Sequence, residues 1–413
     1  MREFNTIPVE YDLRPAYYDK FHCLAADCHL SCCKGWQIAF DKKDYLALKG
    51  QTGSQDLNRR MAKALRRRRN NIGTGMGYGE FKMTEDADCP LHCENGLCAL
   101  QLEKGHEALP YICKIYPRIE GPAPSGYFER ALTPSCEAVL ALLWDLPDGV
   151  DFRSDPLPRG QIKHIPAPRR GSLTAHFQEI RSQCIDFLQN RRFPLPMRIL
   201  RMGLAMKLLA DGEADVDRWN MRAQALNDQA ADGGSAMEEP DEKQLSMFLS
   251  SNIQLILKYS LENDEFSNVV QDAFGALGIQ IETTGEDSKR AVFSPAPYMA
   301  ARARFQERFG DREYFMENIM VSLFFQLRYP ELDSPDTLWR SYVNFCNLYS
   351  FYRFMAVMSC REGASGGREE LFRLLVHASR LLIHNGAHQS ALRDELFEND
   401  SATLAHMAIL LCG

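Results

Sequence analysis

The sequence predicts a mainly α protein: a small cysteine-rich metal-cluster domain with little β structure, followed by an α-helical domain. Three observations lead to this fold class. Nine of the 13 cysteines in the 413 residues lie between Cys23 and Cys136. A proline-rich stretch follows, and beyond it apolar residues recur at helical spacing. We expect the cysteine-rich domain over residues 1–150 and the α-helical domain over residues 165–413.

Composition narrows the class of protein. Apolar residues make up 45% of the chain and charged residues 25%, which are ordinary values for a globular protein. The net charge of -7 argues against a general nucleic-acid coat or a polybasic membrane binder. Residues 1–15 contain no apolar stretch, and no run of about 18 apolar residues occurs. We therefore expect a cytoplasmic protein that binds neither nucleic acid nor membrane.

The first part should contain two short helices, at Asp41–Gly50 and Gln55–Arg69. A glycine-punctuated segment follows at Asn71–Gly79, and because no apolar strand precedes it, we predict a loop rather than a cofactor-binding turn. The second helix carries the largest charge cluster of the chain. This cluster is either a solvated helix face or a docking patch for an acidic partner. Its members are Arg59, Arg60, Lys63, Arg66, Arg67, Arg68 and Arg69.

The rest of the chain is predicted to be helical. Proline-rich Pro147–Pro168 is typical of a linker. A short strand or hairpin is possible at Ile279–Thr284, followed by a polar loop. The aromatic segment Ser341–Cys360 indicates helix core, with a groove for a substrate or an adenosyl group as the alternative. The predicted helices are one beginning near Leu173 and others at Asp311–Pro330, Ser341–Cys360 and Glu369–Asn385.

The clustered cysteines are the main chemical signal. An odd total without a secretory signal argues against a disulfide framework. Thiolates are soft ligands that suit tetrahedral zinc or an iron–sulfur cluster, and both remain open on spacing alone. His22, His29 and His92 flank cysteines and could replace a thiolate at zinc. The remaining four cysteines, which lie in helical apolar patterns, are expected in the core: Cys184, Cys346, Cys360 and Cys412.

Four motifs in order resemble the flagellin lysine N-methylase family, part of a wider group of CxxCxxCC-like cysteine-cluster proteins. They are Cys28-x3-Cys32-Cys33-x-Gly-Trp36, Cys89-Pro…Gly-Leu-Cys98, Cys113-x2-Tyr-Pro-Arg118 and Glu129-Arg-x-Leu-Thr-x-Ser-Cys136-Glu137. Cys93 departs from the family pattern. The metal ligands expected on this basis are Cys23, Cys28, Cys32, Cys33, Cys89, Cys98, Cys113 and Cys136.

The resemblance implies that S-adenosylmethionine methylates the ε-amino groups of surface lysines on flagellin. It also implies a [4Fe–4S] cluster. A lysine amine, with a pKa near 10.4, must lose its proton to attack as a nucleophile, which requires desolvation and a proton acceptor. The motifs identify neither that acceptor nor the residues that bind the methyl donor, and radical and polar mechanisms both stay open.

Two other functions are compatible with the cysteines. The first is a non-catalytic metal-binding adaptor or chaperone with structural zinc. The second is an iron–sulfur redox protein that transfers no methyl group.

Overall fold

The fold was analysed in a computed structural model of the chain. The structure describes residues 6–68, 77–169, 171–212, 215–229, 239–259, 264–283, 289–384, 397 and 401–413. Helices dominate these residues, and the strands are two to five residues long, so the prediction of a mainly α protein is confirmed. Among the described helices, none combines the length and apolar character that crossing a membrane would require.

The N-terminal part alternates short strands and short helices. The predicted helix at Asp41–Gly50 is present, with the Asp41 side chain accepting a hydrogen bond from Asp44 N at 2.8 Å. The elements in chain order are β1 (Thr6–Val9), β2 (Asp12–Pro15), β3 (Ile38–Phe40), α1 (Lys42–Lys49), α2 (Gln55–Ala64), β4 (Leu65–Arg67), β5 (Gly79–Phe81), α3 (Ala99–Lys104), α4 (Tyr111–Ile115), β6 (Arg118–Pro122), β7 (Phe128–Leu132), α5 (Glu137–Trp144), β8 (Phe152–Arg153) and β9 (Lys163–Pro166).

The described residues of the C-terminal part are helical apart from one hairpin, whose first strand lies where the sequence predicts a strand or hairpin. Its elements are α6 (Phe177–Leu188), α7 (Leu195–Ala210), α8 (Val216–Asp228), α9 (Glu242–Tyr259), α10 (Asp264–Ala276), β10 (Gln280–Thr283), β11 (Lys289–Val292), α11 (Ala296–Phe309), α12 (Glu313–Gln326), α13 (Pro335–Met358), α14 (Arg368–Ile383) and α15 (Leu404–Leu411).

Strand pairing joins distant parts of the first 170 residues. A four-stranded sheet has the order β6-β7-β2-β8, with β2 parallel to β7 and antiparallel to its other neighbour. A three-stranded antiparallel sheet has the order β3-β5-β4, and β1 pairs with β9. The proline-rich stretch predicted as a linker thus supplies β8 and β9, because its extended backbone completes the edges offered by β2 and β1.

The described residues form two main hydrophobic cores. The smaller one lies under the cysteine-rich segment, between Ile38 and Leu109, and includes the buried Cys89. The larger one is made by the C-terminal helices, and it also takes in α5 and Tyr17 from the N-terminal part. The predicted domain boundary near residue 150 stays a prediction, with α5 on the N-terminal side of it packed among the helices.

Helices α12 and α13 form the centre of the larger core. Every residue from Phe315 to Gln326 is buried. Between Ser341 and Met358, only Arg353 is not fully buried. A helix that is apolar on all sides belongs inside a protein rather than on its surface. Some polar groups in this core are paired, as when Asn318 donates to Leu143 O at 2.9 Å, whereas Gln326 Oε1 and Asn347 Nδ2 have no partner among the described residues.

The close contact between α7 and α13 gives a stability prediction. A Cβ added at Gly203 of α7 would lie 2.1 Å from ring atoms of Tyr342 on α13. Tyr342 is 1% exposed and cannot move aside, so we expect Gly203→Ala to lower the free energy of unfolding by about 2–3 kcal/mol. Urea denaturation would measure this change.

The matched control is Gly275→Ala in α10. A Cβ there meets nothing within 4 Å, so alanine should be neutral or stabilise by up to about 1 kcal/mol through helix propensity. Equal urea midpoints for the two variants would contradict the assigned α7–α13 contact.

Candidate functional site

Glu137 anchors the first cysteine segment, which comprises residues 23–36 and is called the cysteine segment below. It opens α5, where a carboxylate is favourable, and its Oε2 accepts hydrogen bonds from His29 N at 2.8 Å and Leu30 N at 3.0 Å. The same oxygen lies 3.6 Å from Cys28 Sγ. Cys28 is therefore held beside Cys136, the residue that precedes Glu137 in the sequence, although more than 100 residues separate them.

Backbone contacts bring the second cysteine group against the first. Cys89 N donates to Cys33 O at 2.8 Å, and Gly35 N donates to Ala87 O at 2.9 Å. Cys93 N donates to Leu97 O at 2.8 Å and closes the turn that leads into Cys98. Two motifs about 55 residues apart in the sequence are thus joined through their main chains.

Seven of the eight predicted ligands form one electrostatic network centred on Cys32. Burial raises the pKa of Cys28, Cys89 and Cys136 to about 12. Cys32 has a lowered pKa, because its sulfur is hydrogen-bonded to the Cys33 thiol. Seven cysteines interact electrostatically, either with one another or through Cys32. They are Cys28, Cys32, Cys33, Cys89, Cys98, Cys113 and Cys136.

Cys23 differs from the other seven. Like Cys32 it is exposed, but its sulfur contacts the main chain of its own loop, where it accepts a hydrogen bond from Ala25 N at 3.4 Å. The unexpected eighth member of the network is Cys93, which acts on the pKa of Cys98.

These side chains supply the soft thiolates that an iron–sulfur cluster needs. Within the described ranges, however, no three potential ligands converge closely enough to hold a metal ion. The donor type fits the expected cluster, and the assignment of individual ligands stays a prediction.

Aromatic side chains cover the network. The Trp36 ring lies 5.1 Å from Tyr116 and 4.7 Å from His384, measured between centroids. His384 Nε2 lies 2.7 Å from Ser135 Oγ, next to Cys136. Burial lowers the pKa of His384 to about 4, so its ring is neutral at neutral pH. Because Cys32 is nevertheless exposed, the expectation that Trp36 and Tyr116 exclude water from the cysteines stays a prediction.

Arg380 joins the cysteine segment to the helices. It lies on α14, is 8% exposed, and donates to Leu30 O at 2.8 Å, Ser31 O at 3.0 Å and Lys34 O at 3.1 Å. Its charge also helps to lower the pKa of Cys32. Sequence reasoning missed Arg380 and His384, because about 250 to 350 residues separate them from the motifs they contact and neither belongs to a recognisable pattern.

The remaining predicted features are only partly described. The basic cluster begins in α2, where Arg59 and Arg60 both pair with Asp56, and its last member, Arg69, lies outside the described residues. Most of the glycine-punctuated segment, including Gly73 and Gly75, also lies outside them. His92 binds Asp88 through Nδ1 at 2.8 Å, as a side chain that supports the cysteine turn would.

The comparison with protein families identifies the class of protein as a protein-lysine methyltransferase. A family model described as the FliB lysine N-methylase C-terminal domain matches residues 181–410, which is more than half of the chain. The chain belongs to the FliB lysine N-methylase family. The matched residues run from α6 into α15, so they confirm the family resemblance independently of the cysteine motifs.

Individual relatives agree with this family. The chain is 29% identical over 180 residues to the flagellar biosynthetic protein FliU of Salmonella muenchen, an alignment that covers 42% of this chain and 95% of the relative. It is 30% identical over 143 residues to the lysine-N-methylases of Salmonella typhimurium and Salmonella choleraesuis. Those alignments cover 33% of this chain and span a third of each relative. No solved structure is significantly similar to the chain.

Proposed function

We propose that this chain transfers methyl groups from S-adenosylmethionine to ε-amino groups of surface lysines on flagellin, in the cytoplasm, and that its cysteines hold a [4Fe–4S] cluster. The observation that carries the proposal is the family match over residues 181–410. A relative named for flagellar biosynthesis and two named for lysine N-methylation favour flagellin as the substrate.

The cluster would be held by thiolates drawn from the network around Cys32. When bound, an iron–sulfur cluster supplies one-electron chemistry or an iron atom that accepts a ligand. The chain's own groups would tune such a centre. Arg380 would place a cation beside the thiolates, and the paired rings of Trp36 and Tyr116 would limit the access of water. Hydrogen bonding, charge and solvent exposure are the means by which a protein sets a cluster's potential.

Docking of the cysteine segment on α14 connects the proposed centre with the family-matched helices. Arg380 and His384 lie within the matched range, while every cysteine of the network lies outside it. Ligand sites favour such junctions between structural units. The network is therefore placed to act together with the helical part rather than as a separate module.

The proposal is tested by metal analysis and methyl transfer on the same preparation. Protein purified without oxygen should contain about four iron and about four acid-labile sulfide per chain. Incubated with tritiated S-adenosylmethionine and flagellin, it should place tritium on lysine residues. Cys32→Ser, which removes the central thiol, should lose most of the iron.

The matched control is Cys360→Ala, which removes a buried thiol outside the network and should keep its iron. Colourless protein with one or two zinc ions would overturn the cluster and favour the adaptor function. Metal-replete, folded protein that transfers no tritium would overturn the methyltransferase activity.

A further inference from the structure

A cleft in the family-matched helices has no role in the site described above. It opens between the start of α7 and helices α11, α12 and α13, and it is closed on one side by the residues that follow α15. Leu195, Met316 and Leu411 form apolar walls. Its volume of about 180 Å³ is below the roughly 300–1,000 Å³ of pockets that enclose drug-sized ligands. It therefore has room for one end of such a ligand.

Two opposite charges face this cleft. Glu313 is the first residue of α12, and Arg353 lies on α13. In the part of the chain that the structure describes, neither pairs with an oppositely charged side chain; Arg353 donates its Nε to Gly413 O at 3.1 Å, and its guanidinium lies 5.0 Å from the centre of the Phe305 ring. The nearby Arg302 is already paired, with Glu239 at 2.6 Å. A cation and an anion that share a cleft without pairing fit a ligand carrying both charges.

A buried hydroxyl lies near several of the residues that line the cleft. Tyr298 is fully buried, and its hydroxyl has no hydrogen-bond partner among the described residues. It lies within electrostatic reach of Arg353, Arg302, Tyr349 and Cys412, which all line the cleft. Leaving such a group unpaired costs about 1–3 kcal/mol.

We propose that this cleft binds the α-amino-acid end of the methyl donor. Arg353 binds the carboxylate and Glu313 the ammonium group, while Leu195, Met316 and Leu411 contact the methylene chain. This assignment rests on the proposed function, since it takes S-adenosylmethionine as the ligand. The donor's adenosyl group lies outside the cleft.

Calorimetric binding tests the assignment. The full chain should bind S-adenosylmethionine, and Arg353→Met and Glu313→Gln should each weaken that binding at least about 10-fold, since each removes a hydrogen bond to a charged group. Methylthioadenosine, which lacks the amino-acid end, should bind all three proteins equally weakly.

The matched controls are Arg308→Met and Glu307→Gln, which make the same chemical changes at exposed positions of α11 outside the cleft. Both should bind S-adenosylmethionine like the unaltered protein. Unaltered protein that binds the donor and methylates flagellin, with cleft variants of unchanged affinity, would overturn the cleft and leave the proposed function intact. Unaltered protein that neither binds the donor nor transfers methyl would overturn the proposed function itself.

Discussion

Arg380→Met should free the cysteine segment from α14, lower the free energy of unfolding by about 3–4 kcal/mol and sharply reduce bound iron. The guanidinium donates to three main-chain carbonyls between Leu30 and Lys34, and hydrogen bonds to a charged group contribute about 1.5–3 kcal/mol each. Because water has partial access to this loop, the loss of unfolding free energy should be smaller than the sum of the three hydrogen-bond contributions. Methionine retains the apolar stem, so the loss reports the hydrogen bonds.

Urea denaturation and iron content of the anaerobic protein would measure both effects. Arg380→Lys keeps the charge but cannot reach three carbonyls together, so it should fall between the parent and the methionine variant. The control, Arg373→Met, removes an arginine from the same helix whose partner is Glu370. It should cost less than about 1 kcal/mol and leave iron unchanged. An Arg380→Met protein with parental stability and iron would show that the segment is positioned by other contacts.

Arg380 also marks the limit of sequence reasoning at this site. The motif spacings single out Cys28, Cys32, Cys89 and the later cysteines as candidate ligands, since short spacings and turn residues carry that information locally, but they do not decide between one metal centre and two. Which helix receives them depends on tertiary packing across the whole chain. A single arginine in an amphipathic helix looks like any solvent-facing residue, so only the structure identifies it as the docking group.

In the fold, too, local sequence pattern predicts some elements, and tertiary contacts decide others. Helix α14 follows its apolar periodicity and begins and ends within two residues of the prediction. The helix predicted for Gln55–Arg69 is wrong beyond Ala64, because Leu65–Arg67 pairs with β5 and sheet hydrogen bonds override the helix propensity of arginine. A local sequence pattern predicts the wrong element where a neighbouring strand forms hydrogen bonds with the same backbone groups.

Replacing Glu317 should have the other large effect on stability. This carboxylate, 1% exposed in α12, accepts hydrogen bonds from Arg191 Nη2 at 2.8 Å and from Arg198 Nη1 at 2.5 Å. Arg198 is itself 6% exposed. Glu317→Gln would leave the charge of Arg198 buried without a counter-charge. We therefore expect the unfolding free energy to fall by about 3–5 kcal/mol, as measured by urea denaturation.

Two comparison variants separate the buried charge from the general sensitivity of α12. Glu313→Gln, one turn earlier and exposed, should change the unfolding free energy by less than about 0.5 kcal/mol. The double variant Glu317→Gln with Arg198→Met removes the carboxylate together with its buried arginine partner. It should recover part of the lost unfolding free energy, because the penalty comes from the unpaired charge of Arg198. If the double variant is as unstable as the sum of the two single variants, the ion pair is not what makes Glu317 necessary, and its fit within the helix core is.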